Sequence, residues 1–164
     1  MTSPTSSFVF PSHVLPEFKR VEQSNDHDCA FACLAMIAHQ SIAEIRSVAV
    51  AQGLMPEHGP YYLTDDMIAR LAAHHGWVST VWKEVSSTAS LPNLALILLD
   101  YDTKLEQGRF ALFVRQGNPV GTGDEWVVDP AFWIPPERHV RCDLQDWELS
   151  WYIGIHEMGV NRDF

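Results

Sequence analysis

Cations are scarce in this sequence. Eleven lysines and arginines face 21 aspartates and glutamates, a formal charge of −10 at pH 7. A nucleic-acid backbone or an anionic membrane needs a basic patch to neutralise its phosphates, so the composition argues against both as the main partner. A basic or neutral peptide suits it better. Long apolar runs are also missing, and no stretch approaches the roughly 20 residues that cross a bilayer. The opening MTSPTSSFVFPSHVLPEF has neither a basic n-region nor a continuous apolar segment, so it does not read as a signal peptide. Cysteine is limited to Cys29, Cys33 and Cys142. Three thiols cannot all pair, and two that lie one helical turn apart match disulfide geometry poorly. Reduced thiols in a cytoplasmic protein are therefore expected, unless export proceeds without a cleavable signal. No internal repeat is present.

What remains is enough for one core. The 164 residues are 46% hydrophobic, and a chain of this length buries roughly 70% of its unfolded surface. The Ser- and Pro-rich residues 1–20 are expected to form an irregular arm, with residues 21–164 as a single domain. Asp28 is placed to cap a helix over CAFACLAMIAHQ, Ser41 one over IAEIRSVAVAQG, and Thr64 one over DDMIARLAAHH that Gly76 stops. Beyond Gly76 the periodicity becomes extended. WVSTVWKEV alternates, LALILLDY is a continuous apolar run, RFALFVRQ and EWVVDPAFW form a pair around a turn at GNPVGTGD, and WYIGIHEM is a last strand. Helices first and an antiparallel sheet afterwards is an α+β arrangement.

Cys29 stands at the join between a polar stretch and the first helix. A thiol there meets the positive end of the helix dipole and free backbone N–H groups, so its pKa is expected to fall and its thiolate to become a nucleophile. The same N–H groups can hold an oxyanion. Gln23, on the approach to the helix, offers a side-chain amide as a second donor. Against this stand the frequency with which free cysteine is simply buried and the opposing charges of Asp26 and Asp28.

Gln23, the DC pair, the small residues after it and LAMI resemble the papain-like cysteine peptidases that process double-glycine leader peptides of bacteriocins. The likeness runs on through YYLTDDMIARLAAHHGWVSTVW, LPNLALILLDY, WVVDPAFW and LQDWELSWYIGI. It implies a papain-like fold, with helices packed on an antiparallel sheet and the site in the cleft between them. It also implies a Cys nucleophile at the helix start, a Gln in the oxyanion hole, and an Asp before Pro, roles that fall on Cys29, Gln23 and Asp129. The family's G-H-F corresponds to Gly108, Arg109 and Phe110, so Arg109 stands in the imidazole's place, and Ala30 replaces the family's Gly. A guanidinium stays protonated and is no general base. It can lower the Cys29 pKa electrostatically and pair with Asp129 through a bidentate fork.

His27, His139 and His156 are the histidines that could substitute; His74 and His75 end a helix and need no further role. A Cys3His zinc site from Cys29, Cys33, His139 and Cys142 is a lesser alternative, since its spacings fit no standard motif. No metal and no cofactor is expected. The tryptophans, including Trp126, Trp133, Trp147 and Trp151, are expected in the core and in groove walls, where aromatics also suit an extended peptide.

Two functions follow. The first is a thiol hydrolase or acyl-transferring enzyme acting on peptide or amide bonds through Cys29. The second is a catalytically silent relative that binds a peptide or protein partner in the same cleft. The occupied His slot favours the second. Retention of Cys29, Gln23 and Asp129 together favours the first and tips the expectation towards it. With no exporter domain in the chain, leader processing itself is not implied.

Overall fold

The computed structural model describes residues 18–58, 63–116, 124–143 and 149–159. Three helices come first: α1 (Cys29–Ala38), α2 (Ile42–Ala51) and α3 (Asp65–His74). Every residue of α1 from Cys29 to Ile37 is buried. Its small and apolar run suits a helix enclosed on all sides rather than an amphipathic one. Ser41 caps α2 through a full capping box with Glu44, and the Thr64 hydroxyl accepts from the Met67 N–H to cap α3. Asp28 is different. It occupies the N-cap position of α1, yet its carboxylate makes no cap hydrogen bond. The expected cap is replaced by other partners, described below.

The strands are β1 (Trp77–Ser79), β2 (Lys83–Glu84), β3 (Leu94–Asp102), β4 (Gln107–Gln116), β5 (Asp124–Val128), β6 (Val140–Arg141) and β7 (Trp151–Glu157). They form an antiparallel sheet in the order β1-β7-β3-β4-β5-β6, with β2 also paired to β7. The WVSTVWKEV segment is thus two short strands on one edge of β7, not one. Between them the Thr80 hydroxyl accepts from the Gly154 N–H at 2.9 Å, taking over a ladder position with a side chain. The pairing of β4 with β5 is as expected, from Leu112 opposite Val128 to Gln116 opposite Asp124. The turn expected between them extends into positions outside the described residues, and Trp147 lies outside them.

Both faces of the central strands are covered. Leu94, Leu96, Leu112, Val114 and Val128 pack with the helices. Ala95, Ile97, Leu99, Ala111, Phe113 and Val127 form a second cluster. A strand buried on both sides reads as a continuous apolar run, which is why LALILL lacks alternation. Among the described residues, no helix is long and apolar enough to cross a membrane.

Candidate functional site

Cys29 is the first residue of α1, and its Sγ accepts a hydrogen bond from the Phe110 N–H on β4 at 3.4 Å. The helix start is thereby docked on the strand that carries Arg109. The Arg109 Nη1 lies 2.5 Å from Asp129 Oδ1, and its Nε lies 2.6 Å from Asp100 Oδ2. The guanidinium therefore divides itself between two carboxylates, where a bidentate fork on Asp129 alone was expected. Trp133 adds its ring face, 5.8 Å from the guanidinium carbon. Burial works against the charge of Arg109, but the bonds to Asp129 and Asp100 outweigh it and hold its pKa above the ordinary value. It is a permanent cation already balanced by its own neighbours.

The Asp129 carboxylate also accepts from the Ala131 N–H at 3.0 Å, and Arg20 donates to the Asp129 and Ala131 carbonyls at 2.6 and 2.7 Å. The Gln23 N–H donates to the Pro130 carbonyl at 2.8 Å, so residues 20–23 clamp the turn that presents Asp129. The Gln23 side chain is buried. Its Nε2 donates to the Asn25 carbonyl at 2.7 Å, leaving one of its two amide protons uncommitted to that bond, while Oε1 is buried with no partner among the described residues.

The Cys29 thiol departs from expectation. Its pKa is raised, not lowered. Burial pushes it up most; the Phe110 and Ala30 N–H groups pull it back, and the Asp28 carboxylate pushes it up again. The charge of Arg109 acts instead on Cys33, fully buried one turn further along α1. There burial, Cys29 and Asp129 outweigh the guanidinium and drive the thiol pKa well upward. Asp28 itself is fully buried. It accepts from the Ser24 and Asn25 N–H groups at 3.1 and 3.2 Å, from the Ser24 hydroxyl, and from Arg46 on α2 at 3.2 Å. Those bonds turn its carboxylate away from α1 and leave the first N–H groups of the helix uncapped by it.

A cleft of about 490 Å³ opens beside Cys29, with Ala30, Gly108 and Phe110 in its wall. Trp82 stacks on Phe110 with ring centroids 5.3 Å apart, and both line it. His27 shares this cleft with Cys29, whereas His139 and His156 do not line it. The His139 carbonyl accepts from the Asp129 N–H, and His156 lines a separate pocket with Thr80 and Lys83. Of the four tryptophans expected in the core or in groove walls, Trp126 is buried, Trp151 lines the cleft, and Trp133 is half exposed over Arg109. Among the described residues, no three His, Cys, Asp or Glu gather as metal ligands.

Arg109 and Asp129 are therefore paired next to Phe110, the residue that docks Cys29, with Gln23 on the adjoining turn, but only Cys29 of the four lines the cleft. Arg20, Asp100 and the Asp28–Arg46 pair were missed from the sequence. No spacing marks them, because each meets a partner on a different element, Arg20 on the Asp129 turn, Asp100 across the β3–β4 pair and Asp28 on α2.

No family model and no curated protein matches the sequence. Solved structures do match. The peptidase domain of Streptococcus ComA, a bifunctional ABC transporter in a quorum-sensing pathway, aligns with a TM-score of 0.54 at 18% identity, over 86% of this chain and 99% of that one. A double-glycine-motif protease from an AMS/PCAT transporter, solved with its leader peptide, aligns with a TM-score of 0.53 at 13% identity, over 87% and 94%. At these identities the likeness establishes architecture, and that architecture is the α+β papain-like fold expected from the sequence.

Proposed function

We propose that this domain binds a peptide or protein segment in the cleft beside Cys29 and holds it without hydrolysing it. The observation that carries this reading is the state of Arg109. It is tied to Asp129 and Asp100, and the sequence resemblance aligns it with the residue that supplies the imidazole in papain-like peptidases. A guanidinium accepts no proton from a thiol at neutral pH. The thiol is also held in its protonated form by burial, and a thiol is a poor nucleophile until it ionises. The aromatic wall and the acidic balance of the chain suit a neutral or basic peptide. With three free thiols, the same reading takes the protein as cytoplasmic.

A second reading, the thiol hydrolase or acyl transferase, is favoured by one observation: His27 lines the same cleft as Cys29. Here the imidazole takes the thiol proton and Sγ attacks the carbonyl carbon. The α1 N–H groups then receive the oxyanion, with the second amide proton of Gln23 as the further donor this reading requires.

Both readings meet in one assay of wild type, Arg109→His and Cys29→Ala on a peptide library, with binding measured in parallel. The silent reading expects binding without turnover in the wild type. It expects new amidase or peptidase activity in Arg109→His, because a general base contributes about 10²–10⁴-fold. Wild-type turnover that disappears in Cys29→Ala establishes the hydrolase instead. Turnover that survives Cys29→Ala sinks both.

A further inference from the structure

We propose that the cleft beside Cys29 selects peptide segments bearing a cationic side chain, lysine or arginine, over otherwise identical neutral or acidic ones. This rests on the reading that the cleft takes a peptide, and names what that peptide must carry. Among the described residues, two carboxylates, Asp26 and Glu106, line the cleft and no lysine or arginine does. Among the described residues neither carboxylate takes part in a hydrogen bond or ion pair. The arginines nearby are committed elsewhere, Arg109 to Asp129 and Asp100 and Arg46 to Asp28. In a protein with so few cations, two carboxylates left unpaired at a cleft mouth are a complement awaiting one from outside.

The aromatic groups point the same way. Tyr101 and Trp151 line the cleft while remaining 43% and 40% exposed. The face of an aromatic ring carries negative quadrupole density and attracts an ammonium or guanidinium placed over it. The protein uses this contact itself where Arg109 lies over Trp133 and Arg115 over Phe113. Glu106 adds a backbone observation. Its φ is +51°, a left-handed conformation that Gly or Asn adopts more readily, yet a carboxylate-bearing residue holds it at the cleft rim. Apolar positions in the wall, Leu63 and Leu98 among them, are left for the neighbouring residues of the segment.

The test uses acetylated, amidated decapeptide pools in which one position is fixed as Lys, Arg, norleucine or Glu and the others are mixed. Binding to the full chain is measured by calorimetry at low and high salt. The Lys and Arg pools are expected to bind at least about five-fold more tightly than the norleucine pool at low salt, the combined reach of one charge pair and one cation–π contact. The advantage should shrink as salt rises. The double variant Asp26→Asn, Glu106→Gln should bring the Lys pool level with the norleucine pool. A control with the same charge change on exposed sites away from the cleft, Glu137→Gln with Glu157→Gln, should keep the difference. Equal binding of all pools to wild type, or an equal loss in the control, overturns the cationic selectivity and leaves the peptide cleft standing. Binding of no pool overturns the peptide cleft and the selectivity with it.

Discussion

At Cys29 two consequences of one position oppose each other. A helix N-terminus favours a thiolate by about 0.3–1 kcal/mol, and that much was legible from the polar-to-apolar join in the sequence. Burial was not legible, and it dominates, so the thiol is harder to ionise than a free cysteine. Fast alkylation of Cys29 is the natural expectation from sequence; the structure predicts another order. Cys142 is exposed, Cys29 is buried against Phe110, and Cys33 is fully buried. A brief iodoacetamide pulse at pH 7.5, followed by peptide mapping, should label Cys142 first, Cys29 more slowly and Cys33 only on unfolding. The Cys29 rate should keep climbing as pH passes its ordinary value of about 9, because the folded thiol ionises later. The linked stability has the matching sign. The raised pKa contributes stability that is fully present below about 9 and is lost as pH rises through the folded value. Cys29 labelled ahead of Cys142 at pH 7.5 would contradict this account and restore the thiolate. The pairing of Arg109 with Asp129 was anticipated in the same way, and its second partner was not. Asp100 reaches Arg109 from a register shift between Leu99 and Asp102, with its backbone at φ +52°, which no alternation in the sequence encodes.

Among the elements, the hairpin of β3 and β4 decides where the site lies. Its strands were readable because burial on both faces leaves an apolar run, and turn residues bound it. The break between β1 and β2 was not readable, since it depends on one threonine hydroxyl replacing a backbone partner. Two-residue β6 carries too little pattern to see. Gly108 sits immediately before Arg109, and a Cβ there would lie 2.9 Å from Leu98 Cγ and Cδ1 and from the Leu99 carbonyl oxygen. The leucine side chain can yield, but the carbonyl belongs to the strand paired with Arg109. Gly108→Ala is therefore expected to cost about 1–3 kcal/mol, the usual range for overpacking. Thermal unfolding of the variant checks it. An unchanged Tm would mean that β3 and β4 are not so closely spaced there.

For the molecule as a whole, the residues just before position 21 bear on stability. Reading residues 1–20 as an arm and 21–164 as the domain follows the composition, because residues 1–20 are rich in Ser and Pro. The contacts of two residues on the arm side bear on stability regardless of that boundary. Phe18 is 4% exposed, stacked on His39 at 5.8 Å and edge-on to Trp77 at 6.2 Å, so it joins the end of α1 to β1. Arg20 holds the turn of Asp129 through two carbonyls. Neither role shows in sequence, since both depend on partners 21 to 111 positions away. Burying a phenylalanine contributes about 1.5–3 kcal/mol, and hydrogen bonds from a charged donor about as much again. A chain beginning at residue 21 should thus lose about 4 kcal/mol relative to one beginning at residue 18, a Tm lower by roughly 10 °C for a domain of this size. Because Arg20 acts on the Asp129 turn, the shorter chain should also bind peptide more weakly at temperatures where it is still folded. Calorimetric unfolding of the two truncations, with peptide binding measured well below the lower Tm, tests both effects. Equal Tm values would show that Phe18 and Arg20 rest on a domain already complete without them, and equal peptide binding that the Asp129 turn needs no clamp from Arg20.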